Sequence, residues 1–284
     1  MTAETPGIGL ARRRRRLSDE ETARRMLDAA IAKVDEAGLT VSLEHISFEE
    51  VIRDAGVARS AVYRRWPNKD MFFGDLLREL AKGDSPAIIG ADPGAIRSVA
   101  RTLLASIGWA RTPGLRRALA AEVLRGSALG EFEIFHRSPA WRTYLALQAT
   151  FRSLPDGELR SEVQRSLAES ERSMVAGVAT AYAQVARLIG LRPQAGVTFE
   201  TAARLAIATL RGLILMQPAN PEISTVRFQA NPFGAPEPAE WSEPALAIAS
   251  VVLSLVEADP DIEWTDEYEH SVTTALQAGR WPMS

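Results

Sequence analysis

Residues 52–77, IRDAGVARSAVYRRWPNKDMFFGDLL, decide the fold. Gly56-Val57 interrupts one helical run and Pro67 stops the next, so Ala58–Trp66 reads as a short helix between two breaks. Upstream, Ser47-Phe48-Glu49-Glu50 has the form of a capping box and opens a short helix carrying Val51, Ile52 and Ala55. Downstream, Asn68 can cap a helix from Lys69 to about Ala81 whose apolar face is Met71, Phe72, Leu76, Leu77 and Leu80. Further upstream, Ser18-Asp19-Glu20-Glu21 starts a helix with a stripe at Ala23, Met26, Leu27, Ala30, Ile31 and Val34, which Gly38 ends. Four helices, with the middle two short and joined by a glycine turn, predict a helix-turn-helix.

The third helix divides its residues between two faces. Val62 and Trp66 are four apart and can pack inward against Val51, Ile52 and Val57. Arg59, Ser60, Tyr63 and Arg64 then fall on another face. A helix of this size fits the DNA major groove, where arginine can donate two hydrogen bonds to guanine while Ser, Tyr and Lys suit phosphates. The plainer alternative is a solvated basic face on an ordinary helix. Two neighbours favour the first reading: the glycine turn with its partner helix, and the run Arg12–Arg16, which can follow phosphates or a minor groove or else be a solvated tail.

The stretch resembles the DNA-binding domain of the TetR family of bacterial transcriptional regulators. The shared features are Ala55-Gly56-Val57, Val62-Tyr63, the aromatic Trp66, Asn68-Lys69 and Phe72, and the match covers about residues 18–82. The resemblance implies that Arg59 and Ser60 reach bases or adjacent backbone, that Tyr63, Arg65 and Lys69 hold phosphates, and that Arg64 does either. It places Ser47 and Phe48, at the start of the second helix, in the same interface. Three features depart from the family pattern: Ala58 replaces the usual capping Ser or Thr, the link from Gly38 to Ser47 is long, and Glu49 puts acid near a helix start.

Beyond Gly83, the segment containing Ser85-Pro86 and Asp92-Pro93-Gly94 reads as a linker. The organisation expected is a basic flexible arm over 1–17, a helix-turn-helix domain over 18–83 and a larger helical domain over 84–284, all-α throughout. Helices are expected near 93–108, 113–125, 139–153, 157–190, 198–217 and 242–258. The six prolines between 218 and 244 mark an extended loop, with a short extended piece around Thr225–Phe228. Family architecture implies an inducer pocket and a four-helix dimer interface. For the interface the candidates are Ala202, Leu205, Ala206, Thr209 and Leu213 on one helix with Ala245, Ala249 and Leu253 on another, since small residues permit close approach; both helices could equally be core. For a pocket they are Trp109, Phe132, Phe135, Trp141, Tyr144, Phe151, Met174 and Tyr182, which would suit a hydrophobic or aromatic effector, although aromatics at helical spacing are more often core.

Composition narrows the classes. The 284 residues are 46% hydrophobic and 24% charged with a net charge of −3, enough apolar mass for a packed core. There is no cysteine, which excludes disulfides, iron–sulfur clusters and cysteine nucleophiles, and the three histidines are scattered. Residues 1–82 hold 15 basic against 14 acidic groups, while the remainder holds 18 against 22. No phosphate loop, H-E-x-x-H or G-x-S-x-G is present, so neither an enzyme nor a cofactor or metal site is expected. No secretory signal or spanning segment is read, so the expected location is cytoplasmic, at the bacterial nucleoid. The reading is a ligand-responsive repressor that binds a palindromic operator in double-stranded DNA as a homodimer. The alternatives are a sequence-independent DNA or anionic-surface binder driven by the arm, and an all-α small-molecule carrier.

Overall fold

Short polar caps and apolar stripes set out the N-terminal unit in the computed structural model, which describes residues 17–37, 46–82 and 93–278. Helix α1 (Asp19–Ala37) starts where the Ser18 hydroxyl accepts from the Glu21 N–H at 3.0 Å. The return half of the expected capping box does not form, because the Glu21 carboxylate is taken by Arg24 and Arg25, which hold its pKa below the usual carboxylate range. Helix α2 (Phe48–Ala55) is capped by Ser47 in the same way, and here too the glutamate turns elsewhere: Glu50 lies 3.4 Å from Lys33 on α1.

Gly56 then adopts φ +63°, a left-handed C-cap that costs glycine little and redirects the chain at once. Helix α3 (Arg59–Arg65) follows, with no side-chain cap at Ala58. Asn68 accepts from the Met71 N–H at 3.0 Å to start α4 (Lys69–Lys82). Met26, Ala30, Val34, Val51, Val62, Trp66, Phe72 and Leu76 close one apolar core beneath these four helices. Trp66 and Phe72 meet edge to face at 5.1 Å, and the Trp66 indole N–H donates to Asp75 at 2.8 Å. The third helix is therefore held by an aromatic anchor whose polar atom is satisfied.

The larger unit comprises α5 (Pro93–Ser106), a 3-10 turn (Ile107–Arg111), α6 (Pro113–Arg137), α7 (Pro139–Ser153), α8 (Glu158–Leu188) and α9 (Phe199–Met216). Helix α6 runs twelve residues past the expected end at 125; its Gly126 and Gly130 interrupt nothing, and a side chain at either would meet open space. The expected helix 242–258 is corrected to α11 (Glu243–Leu253) followed by a strand. That strand, β4 (Val256–Ala258), pairs antiparallel with β1 (Leu191–Pro193), matching Leu191 to Ala258. The proline-rich stretch contains a short helix α10 (Glu222–Thr225) and a hairpin of β2 (Phe228–Ala230) with β3 (Ala239–Trp241). Thr225 is thus helical, and the extended piece begins at Phe228. A further helix absent from the sequence reading, α12 (Asp266–Gln277), is capped by Thr265 and packs on α5. The architecture is helical with two small strand pairs, and no helix among the described residues is long and apolar enough to cross a membrane.

One buried cation fastens the C-terminal segment. Arg116 on α6 is 3% exposed, and its guanidinium donates to the carbonyls of Ala110 (2.9 Å), Gly190 (3.2 Å), Asp259 (3.3 Å) and Ile262 (3.2 Å). It also lies 5.7 Å from the Trp264 ring centre. Gly190 has φ +68°, and a Cβ there would sit 2.8 Å from the guanidinium, so glycine is required on both counts. The two units meet where α4 packs on α7 and α8. Gly74 is buried against Leu159, and Arg78 bonds both Asp75, at 2.8 Å, and Glu162 of α8.

Candidate nucleic-acid interface and effector cavity

The outward face of α3 is the most concentrated basic surface of the described N-terminal unit. Arg59, Ser60, Tyr63, Arg64 and Arg65 are exposed, as is Lys69 at the start of α4, whereas Val62 and Trp66 are buried as their spacing predicts. The three arginines of this face are engaged within the chain, two by carboxylates and one by a ring. Glu49 bonds Arg59 through one oxygen and accepts from the Tyr63 hydroxyl at 2.7 Å through the other. That acceptor holds the Tyr63 pKa above the ordinary phenol range. Arg64 pairs with Asp19 at the start of α1, and the Arg65 guanidinium lies 5.2 Å from the Trp66 ring centre.

The second helix contributes differently from the expectation. The Ser47 hydroxyl is used as a helix cap. Phe48 is only 9% exposed, with its ring 5.0 Å from Phe72 and 5.9 Å from Tyr63, so it supports the face from beneath. Glu49 is the residue that sequence reasoning left without a role. It acts across 10 and 14 positions between two helices, and no local spacing announces that. The arm Arg12–Arg16 lies outside the described residues.

The larger unit forms a half-open cavity of about 310 Å³ between α5, α6 and α8, bordered also by Phe199 of α9, Val252 and Leu253 of α11 and Val256 of β4. Its walls are largely aliphatic. Of the eight residues expected to line a pocket, Tyr182 alone reaches it. Most of the other seven build core: Phe135 packs on Trp141 at 4.5 Å, Trp141 meets Tyr144 edge to face at 5.9 Å, and Phe132 is fully buried. Arg160 covers the Phe151 ring, and Trp109 is half-buried at the 3-10 turn. Beside them runs a polar chain: Tyr144 donates to Glu171, Gln148 to Glu171 at 2.6 Å, and Arg211 to Glu171 at 3.1 Å and to the Met174 sulfur at 3.2 Å. Phe135, Trp141 and Met174 border a second space of only about 20 Å³.

Glu131 of α6 is the residue the pocket reading missed, and it borders both spaces, as Tyr182 does. Loss of hydration raises its carboxyl from the ordinary 4.5 to about 7. Glu131 is half-buried. A signal existed: Glu131 follows Leu124, Ser127 and Ala128 at helical spacing, a charge on a face otherwise free of charged groups, and Phe135 continues it.

The residues expected to meet a partner copy separate into two groups. Ala202, Ala206, Ala245, Ala249 and Leu253 are buried within the chain itself, because α11 packs against α6 and α9. Thr209 and Leu213 are half-buried. Leu205 is 46% exposed and Leu215 is 64% exposed, with Ala208 exposed and Gly212 half-buried between them.

No known family profile and no curated protein match the sequence. Solved structures of similar outline are NemR of E. coli in its reduced form, NalD of Pseudomonas aeruginosa and SmeT of Stenotrophomonas maltophilia. NemR is 13% identical, covering 84% of this chain and 99% of that one with a TM-score of 0.42. NalD, the secondary repressor of the MexAB-OprM multidrug efflux pump, is 19% identical over 86% and 98% with a TM-score of 0.41. SmeT, the repressor of the SmeDEF multidrug efflux pump, is 18% identical over 86% and 98% with a TM-score of 0.37.

Proposed function

We propose that this chain is a DNA-binding transcriptional regulator of the TetR kind, a ligand-responsive repressor that acts as a homodimer on a palindromic operator. The observation that carries the reading is the outward face of α3. Two arginines, a phenol and a hydroxyl project from a seven-residue helix that is set by a left-handed glycine turn and anchored by Trp66. A major groove accepts such a helix; Arg59 and Ser60 then read base edges, while Tyr63, Arg65 and Lys69 fix register on phosphates. Arg59 and Arg64 exchange their carboxylate partners, Glu49 and Asp19, for DNA, and release of the DNA's counterions favours the exchange. Ser47 stands at the edge of this interface. Phe48 positions Tyr63 and makes no contact of its own.

Two copies are needed to span half-sites about 34 Å apart. The surface that supports pairing is the stripe of exposed Leu205, Ala208 and Leu215 with half-buried Gly212 on α9, together with exposed Ala176, Gly177 and Thr180 on α8. Small residues at successive turns let helices of two copies approach closely. Because α4 rests on α8, a ligand that prefers one arrangement of α5, α6 and α8 changes the spacing of the two α3 helices by population shift. Such a regulator works in the cytoplasm, at the nucleoid.

Selection of genomic fragments by the purified protein at physiological salt tests the reading, and one short inverted repeat is the expected product. Arg59→Ala then weakens that site by about 1–3 kcal/mol and relaxes one base position, while Lys69→Ala weakens all sequences alike and flattens the salt dependence. Fragments sharing no motif, with binding lost on removal of residues 1–17, would replace the reading with an arm-driven, sequence-independent binder. An absence of bound DNA would leave a small-molecule carrier.

A further inference from the structure

We infer that the cavity of the larger unit binds a compact hydrophobic cation, an amine or ammonium group set in an apolar body, with Glu131 as its counter-ion. The inference rests on the reading of this cavity as the effector site and adds the ligand's charge. Among the described residues, neither the Glu131 carboxylate nor the Tyr182 hydroxyl has a hydrogen-bond partner, and no lysine, arginine or histidine lines the cavity. The groups that face Glu131 are the Tyr182 phenol on α8, close enough to interact with it electrostatically, and the aliphatic walls from α5, α11 and β4. The remaining polar lining is Ser127, whose hydroxyl already donates to the Val123 carbonyl, and Gln184.

A carboxylate stranded in an apolar cavity is poorly hydrated and uncompensated, which is costly unless it is neutralised by a proton or by a cation. A ligand cation is the better neutraliser when it also fills the aliphatic volume, because hydrophobic burial and charge pairing then act together. Tyr182 and Phe199 add aromatic surface that suits a cation, and the cavity's size suits a small body rather than a long chain. An anionic ligand would meet Glu131 with no positive group to offset it. A neutral ligand would fill the volume but leave the carboxylate as it was.

Three isosteres of one apolar cage separate these cases: adamantan-1-amine, adamantan-1-ol and adamantane-1-carboxylate. Calorimetric binding to the full chain at about pH 8 is expected to rank the amine at least tenfold above the alcohol, with no binding of the carboxylate. Amine affinity is expected to fall about tenfold between pH 8 and pH 6 as the proton competes for Glu131, while alcohol affinity stays level. Glu131→Gln should abolish the amine's advantage and keep the alcohol, and retained alcohol binding shows that the variant is folded. Equal binding of amine and alcohol, preference for the alcohol, no binding by any of the three, or an amine preference that survives Glu131→Gln would each overturn the inference. Amine binding that leaves an operator complex intact would overturn the regulatory reading instead, since calorimetry needs no DNA.

Discussion

Glu49 holds with its two oxygens the two side chains that the proposed interface most needs, so at the scale of single residues it works against DNA binding. Both contacts are exposed and must break before Arg59 and Tyr63 can engage a groove. Glu49→Gln removes the competing charge and keeps the shape, and operator titrations are expected to show binding tightened a few-fold, with the gain shrinking as salt rises. Unchanged affinity at low salt would mean that the pairing does not compete. The sequence showed the acid but not its partners, because pairing between helices depends on the Gly56 turn angle and not on any periodicity. Glu131 acts on stability as well as on ligands. Its carboxyl is raised from 4.5 to about 7 by burial, so the folded chain keeps this proton to a higher pH than the unfolded chain does. Stability from this group is full below about pH 4.5 and is lost as pH rises to about 7, by on the order of 3 kcal/mol. Urea unfolding across that window should show a decline from this group in the native chain that is absent in Glu131→Gln, with the variant the more stable of the two at about pH 8.

At the scale of elements, α3 is the weakest part of the N-terminal unit judged by itself, with seven residues and no side-chain cap at Ala58. Its helicity is supplied from outside, by Val62 and Trp66 in the core and by the turn at Gly56. Ala58→Ser adds the missing acceptor for a first-turn N–H and is expected to raise stability by about 1 kcal/mol, seen as a higher thermal midpoint. No gain would show that packing already fixes the first turn. The four N-terminal helices were legible because breakers and apolar spacing agreed, with caps at Ser18, Ser47 and Asn68 but none at α3, whereas on α6 two glycines mimicked an end. The three-residue strands were not: a strand that short has no period, and β1 and β4 pair across 65 positions. Helix α12 had its signals, Thr265 followed by three acidic groups in the first turn, but its apolar face is only Val272 and Leu276 with Tyr268 half-buried. The aromatics of the larger unit misled in the usual direction, since large rings fill a core better than they line a cavity meant to stay open.

For the whole molecule, the proposed dimer and the cavity use opposite sides of α8 and α9. Val178 and Tyr182 face the cavity, while Leu205 and Leu215 face outward. Leu205→Glu with Leu215→Glu places charge on the outer stripe without touching the interior. Sedimentation is expected to show a monomer that still binds the cavity ligand but occupies the operator only at much higher concentration. A doubly substituted chain that remains dimeric would move the interface elsewhere. The Arg116 clamp has a consequence for how the chain comes to be made. It joins α6 to residues 143 and 146 positions later, and the cavity walls likewise bring together distant parts of the chain, Val123 and Val252 among them. A ribosome must release nearly all of the larger unit before Asp259 and Ile262 can arrive, whereas every contact inside residues 18–82 is already available. During that interval the cavity walls and the buried cation are open to water, to proteases and to any early ligand. The N-terminal unit is thus due to fold first during synthesis, and the larger unit last.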